Sequence, residues 1–152
     1  MTYQEFPRNM TDFSILLVDD CKTATIAIAA LLKSVGFSDI EIANSGESAL
    51  DILNSNQTMP DIIMCDLVMP GINGFEVLDH VRAHHPHCIF MIMTATNTAQ
   101  CVEYARKHHV DGYLLKPFKR EDIIVELKLA ISRVHIAVDN FPHLGVEHSI
   151  CA

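Results

Sequence analysis

The chain has 152 residues, 49% of them hydrophobic, which suits a single domain with a full core. Eleven basic against nineteen acidic side chains give a net charge of −8, which argues against the basic face of a nucleic-acid binder. Five cysteines without a C-x-x-C pair (Cys21, Cys65, Cys88, Cys101, Cys151), no apolar leader and no apolar run near about 18 residues together predict a cytoplasmic protein with neither disulfide scaffold, zinc knuckle nor membrane span.

In chain order, Ile15-Leu16-Leu17-Val18 reads as a buried strand. Thr23 to Val35 follows with Ile28, Leu31, Leu32 and Val35 at i, i+3, i+4 and i+7, the mark of a helix face, and Gly36 ends it. Asp39 to Ala43 is a short strand. Ser45 to Asn54 is a helix with Ser45 as N-cap and Ala49, Leu50 and Leu53 inward. Asp61 to Cys65 is a third strand. A third helix carries Phe75, Val77, Leu78 and Val81 and stops before Pro86. Cys88 to Met93 is apolar throughout and predicts a central strand buried on both faces. Asn97 to His109 is a weaker helix, Gly112 to Leu115 a fifth strand, and Lys119 to His135 the last helix, with Ile123, Ile124, Leu127, Ile131 and Val134 on one side.

Five strand-helix units in strict alternation predict a parallel sheet with helices on both faces and right-handed crossovers. The size fits an α/β doubly wound, flavodoxin-like five-stranded sheet in the order 2-1-3-4-5. Residues 13–135 form the predicted domain, 1–12 a lead, and 136–152 a tail too short for a second domain. The chain ends 17 residues past the last predicted helix, so no output domain is expected.

In an open parallel sheet, ligands bind beyond the carboxyl ends of the strands at the switch in strand order. The polar residues following the strands are Asp19-Asp20 after the first, Asp66 after the third, Thr94 after the fourth and Lys116 after the fifth. Three carboxylates on one edge repel, and a single ammonium leaves charge in excess. A divalent, oxygen-seeking cation removes that excess, and Mg²⁺ suits carboxylates plus water. A carboxylate beside Mg²⁺ can accept a phosphoryl group, with Lys116 and the Thr94 hydroxyl holding its oxygens.

The set Asp19-Asp20, Asp66, Thr94-Ala95 and Lys116-Pro117-Phe118, with the turn DLVMPGINGFEVL after Asp66, resembles the bacterial two-component response-regulator receiver domain, in an apparently stand-alone, CheY-like form. The resemblance spans about residues 13 to 135. It implies Asp66 as phosphoacceptor, supplied by a histidine kinase or histidine phosphotransfer protein. Asp20 would ligate Mg²⁺ directly and Asp19 mainly through water, with Asp66 and the backbone carbonyl of Val68 completing the protein ligands. Lys116 would pair with Asp66 and then with the phosphate, across a cis bond to Pro117. Thr94 and Tyr113 would form the switch, and helix 4, strand 5 and helix 5 the surface that meets a protein partner. Self-catalysed phosphoryl transfer and its reversal would be the only chemistry. Val68 is apolar and Thr96 small and uncharged where chemotaxis-type receivers carry polar or charged groups, which implies a phosphoryl group that decays no faster than in receivers with Asn and Glu there.

Two alternatives share the sheet. A relay intermediate would pass the phosphoryl group on to a histidine, and a fragment of a larger regulator would act through a missing domain. An aspartate-nucleophile phosphohydrolase needs a D-x-D pair, which Asp19-Asp20 and Asp66-Leu67-Val68 do not supply. His80, His84, His85 and His87, and His108-His109, read as cationic helix ends rather than a zinc site. Cys21 and Cys65 read as packing residues beside carboxylates that disfavour a thiolate. Exposed members of Ile26, Ile28, Leu31 and Leu32 are candidates for kinase docking. Phe141, Leu144 and Val146 in the tail either cover an apolar patch or stay disordered.

Overall fold

The computed structural model describes residues 10–55 and 59–140, with the backbone alone for 134–140. A short 3-10 turn, Met10–Asp12, leads into five strands and five helices in alternation: β1 Ile15–Val18, α1 Lys22–Val35, β2 Ile40–Ala43, α2 Gly46–Asn54, β3 Ile62–Asp66, α3 Gly74–His84, β4 Ile89–Thr94, α4 Ala99–Lys107, β5 Gly112–Leu115 and α5 Arg120–Asn140. The strands are parallel in the order β2-β1-β3-β4-β5, as the alternation predicts.

The apolar strands are buried on both faces, and residue parity sorts them into two cores. Ile15, Leu17, Ile62, Met64, Met91, Met93 and Leu114 face α1 and α5, meeting Ile28, Leu32, Ile123 and Leu127. Leu16, Val18, Ile63, Cys65, Phe90 and Ile92 face α2 and α3, meeting Ala49, Leu53, Val77, Leu78 and Val81. Cutting the fully buried Phe90 to Ala would cost about 3–5 kcal/mol.

Local chemistry sets the helix ends. Gly36 ends α1 in the left-handed region, with its N–H donating to Leu32 O and Lys33 O. Ser45 Oγ accepts the Ser48 N–H at 2.9 Å, as expected. Asn73 and Glu76 form a reciprocal capping box at the start of α3. Two helices differ from expectation by more than one residue at an end. The fourth helix is shorter, because Thr98 Oγ1 caps it by accepting the Cys101 N–H and His109, at φ 59°, cannot continue it. The fifth extends to Asn140, five residues beyond His135, so the predicted tail begins as helix; residues 141–152 lie outside the described residues, and Phe141, Leu144 and Val146 with them. Among the described residues no helix is long and apolar enough to cross a membrane.

Candidate functional site

β3 runs through Asp66 itself, one residue past its predicted end, and so carries the carboxylate to the switch between β1 and β3. The Asp66 residue is only 9% exposed. Behind it the chain closes quickly: the Gly74 N–H donates to Leu67 O at 3.0 Å, and α3 starts directly over the end of β3. A Cβ at Gly74 would lie 2.5 Å from Asp66 O and 2.9 Å from Leu67 Cα, so only glycine allows that approach.

Asp19, at the end of β1, is fully buried, and both its oxygens are engaged. Oδ1 accepts the Cys21 N–H at 2.9 Å and Oδ2 accepts from Lys116 Nζ at 2.5 Å. Lys116 also pairs with Asp66, at 3.5 Å, as the resemblance implied, but its closer partner is Asp19. The reason is burial: the carboxylate with no access to water draws the cation first. Asp20 is exposed, with an oxygen free to face a ligand from solvent. The Lys116-Pro117 peptide is cis.

These positions fix the electrostatics. Burial pushes the Asp66 carboxyl above its ordinary range; the Lys116 charge and a backbone hydrogen bond from Val68 pull it down, and Asp19 pushes it up further. Burial would lower Lys116, but the hydrogen bond to Asp19 and the charges of Asp66 and Asp19 more than offset it and hold the ammonium on. One ammonium is thus shared by two carboxylates, with a third at the rim.

Asp19, Asp20 and Asp66 bring one oxygen each within 4.8 Å of one another, and among the described residues no other group of three possible metal ligands does so. An all-oxygen, net-negative cluster with one face open to water fits Mg²⁺ rather than a softer metal. Val68 lies at the rim, 64% exposed. Thr94 ends β4 beside Asp66, but its hydroxyl accepts the Thr96 N–H at 3.0 Å rather than facing a carboxylate. Tyr113 donates to the Thr96 carbonyl at 2.9 Å, so the two expected switch residues meet through Thr96.

Other candidates separate. His80 and His84 stack with ring centroids 4.3 Å apart, and His84 Nδ1 contacts His80 O at 2.9 Å, with no third ligand converging on them among the described residues. Cys65 is fully buried, and burial followed by the Asp66 and Asp19 charges pushes its thiol far up, as expected of a packing residue. Cys21 is exposed at the N-cap of α1, so it does not pack as the sequence reading had it. Glu47, which sequence reasoning passed over, accepts the Ile72 N–H at 2.9 Å and so ties α2 to the loop behind Asp66. An acidic residue in the first turn of α2 was the only sequence signal.

Fold and pocket together define a doubly wound α/β protein whose binding edge holds a buried aspartate, a shared lysine and a cation-ready acidic cluster. The response regulator receiver domain family matches residues 15–128, and the chain belongs to that family. It is 31% identical to chemotaxis protein CheY-3 of Vibrio cholerae over 109 residues, covering 70% of this chain and 82% of that protein. It is 28% identical over 116 residues to a cyclic di-GMP phosphodiesterase of Thermotoga maritima, covering 76% of this chain but only 30% of the relative's length. The crystal structure of a response regulator receiver domain protein from Clostridium thermocellum superposes with a TM-score of 0.74 at 27% identity, covering 82% of this chain and 98% of that one. Receiver domains are signalling domains rather than conventional enzymes. They take phosphoryl groups from histidine kinases or phosphotransfer proteins and bind Mg²⁺ at an acidic pocket.

Proposed function

We propose that this chain is a phosphorylation-dependent receiver in which Asp66 accepts the phosphoryl group from a phosphohistidine of a kinase or phosphotransfer protein. The observation that carries the reading is the Asp66 carboxylate, nearly buried yet 3.5 Å from a lysine whose closer partner is Asp19. An Asp66 oxygen forms the new bond to phosphorus as the phosphorus–nitrogen bond to the donor imidazole breaks. Asp20, Asp66 and the Val68 carbonyl would hold Mg²⁺, with Asp19 acting mainly through water; the ion would offset charge on the transferring group. Lys116 supplies the fixed positive charge, and Asp19 holds it in place.

The added phosphoryl charge favours a second arrangement. Lys116 shifts its weight from Asp19 to the new oxygens. The Thr94 hydroxyl turns from the Thr96 N–H toward the phosphate, which disturbs the Thr96 segment that Tyr113 holds. The surface of α4, β5 and α5 then changes, and its exposed apolar Val102, Leu115, Val125 and Leu129 supply contact area for a protein partner. The acidic charge and the absence of a spanning helix among the described residues support a cytoplasmic protein that binds protein rather than nucleic acid.

The test is intact-mass measurement after incubation with acetyl phosphate and Mg²⁺. One phosphoryl group per chain, lost on adding excess EDTA beforehand, is the expected result. No addition, or sustained turnover of a generic phosphate ester, would overturn the reading.

A further inference from the structure

We propose that Glu47 is a positioning residue for the phosphoacceptor, holding the β3–α3 loop against α2 so that the Val68 backbone faces the Asp66 carboxylate. The inference rests on the receiver reading of Asp66.

The loop from Leu67 to Asn73 is closed at its base by the Gly74 N–H to Leu67 O bond. Its tip is tethered from outside the loop and its own helix by Glu47 Oε1, which accepts the Ile72 N–H at 2.9 Å. Two glycines bring the partners together. Gly71 takes φ +74° and passes so close to Glu47 that a Cβ there would lie 2.3 Å from Oε1. Gly46, the residue before Glu47, sits under Ile72, where a Cβ would lie 2.3 Å from the Ile72 carbonyl oxygen. The first turn of α2 and the loop tip are therefore fitted to each other across 25 residues of sequence.

The link to the site is the loop backbone. Val68 sits two residues past Asp66, and its backbone hydrogen-bonds to the Asp66 carboxylate. Its side chain is largely exposed. Leu67 and Met69, on either side of Val68, are buried in the core beneath α2 and α3, and Glu47 fixes the exposed far end of the loop. The same hydrogen bond, together with one from its own backbone, holds the Glu47 carboxyl below its ordinary range, so the acceptor stays ionised at neutral pH.

The test compares wild type with Glu47→Ala and Glu47→Gln by amide hydrogen exchange at Ile72 and by titration with Mg²⁺ alone. The glutamine keeps an acceptor oxygen and loses the charge. Wild type and Glu47→Gln are expected to protect the Ile72 amide, and Glu47→Ala to lose that protection and bind Mg²⁺ about two- to fivefold more weakly. The rate of labelling by acetyl phosphate at saturating Mg²⁺ should change less than the half-saturating Mg²⁺ concentration. An unprotected Ile72 amide in wild type, or equal Mg²⁺ affinity in all three proteins, would overturn the proposal while leaving the receiver reading intact. Wild type that takes up Mg²⁺ but no phosphoryl group would overturn the receiver reading, and Glu47 as its positioning residue with it. The Ile72 protection would then report only a structural tether.

Discussion

Replacing Asp66 by Asn should stabilise the metal-free protein while destroying its function. At an effective dielectric of about 20, a unit charge pair 3.5 Å apart is worth about 5 kcal/mol, and one 4.8 Å apart about 3.5 kcal/mol. The attraction of Lys116 for Asp66 is therefore nearly offset by repulsion from Asp19, whose nearest oxygen lies within the second distance. Burial then decides, and it acts against the charge. A carboxyl whose folded-state pKa lies above its unfolded value destabilises the fold once ionised. The penalty is absent below the unfolded pKa of about 3.9 and complete above the folded one. Asparagine removes it, leaves Lys116 to Asp19 alone, and should gain about 1–2 kcal/mol near pH 7. That corresponds to about 3–8 °C in Tm. Circular-dichroism melts in EDTA at pH 7 and near pH 4 measure it, and the gap should close toward the lower pH. With saturating Mg²⁺ the order should reverse, because binding at about 100 times Kd stabilises wild type by about 2.7 kcal/mol and the variant lacks a ligand. An Asn variant that melts at or below wild type in EDTA at pH 7 would refute the reasoning.

Gly74→Ala should lower stability by about 1–3 kcal/mol, read as a fall in the urea midpoint, since the new methyl meets the Asp66 and Leu67 backbone; an unchanged midpoint would contradict the close approach. At pH 8 a thiol reagent should modify the exposed Cys21 well before Cys65 and Cys88, because burial pushes Cys65 up and Cys88 to about 12. Peptide mapping that finds Cys88 labelled as fast as Cys21 would argue against its burial. Val68→Asn should shorten the life of the aspartyl-phosphate by placing a polar group at the exposed rim; radiolabel that decays more slowly than in wild type would reverse that inference.

The fold was legible because its signals are local. The run Cys88 to Met93 admits few polar neighbours on either face, and Ile89 to Met93 is indeed buried throughout. Ser45 and Gly36 mark their helix ends by chemistry that acts within four residues. The fourth helix was harder, since Ala105 is its only buried residue and the apolar period that reveals a helix is nearly missing. At the site, the sequence could name the residues at the strand ends but not their partners. Lys116 was expected on Asp66 and lies closer to Asp19, because which carboxylate is drier depends on packing from several elements. Glu47 was missed for the same reason: its partner, Ile72, is distant in sequence and bonds through its backbone, which carries no residue signature.

The central claim is that one carboxylate among three takes the phosphoryl group. The direct measurement is to label the protein with acetyl phosphate and Mg²⁺, trap the acyl phosphate by borohydride reduction, and map the modified residue by peptide mass spectrometry. Modification is expected at Asp66, with Asp19 and Asp20 intact and no labelling of Asp66→Ala. Modification at Asp19 or Asp20 in wild type, or undiminished labelling of Asp66→Ala, would contradict it.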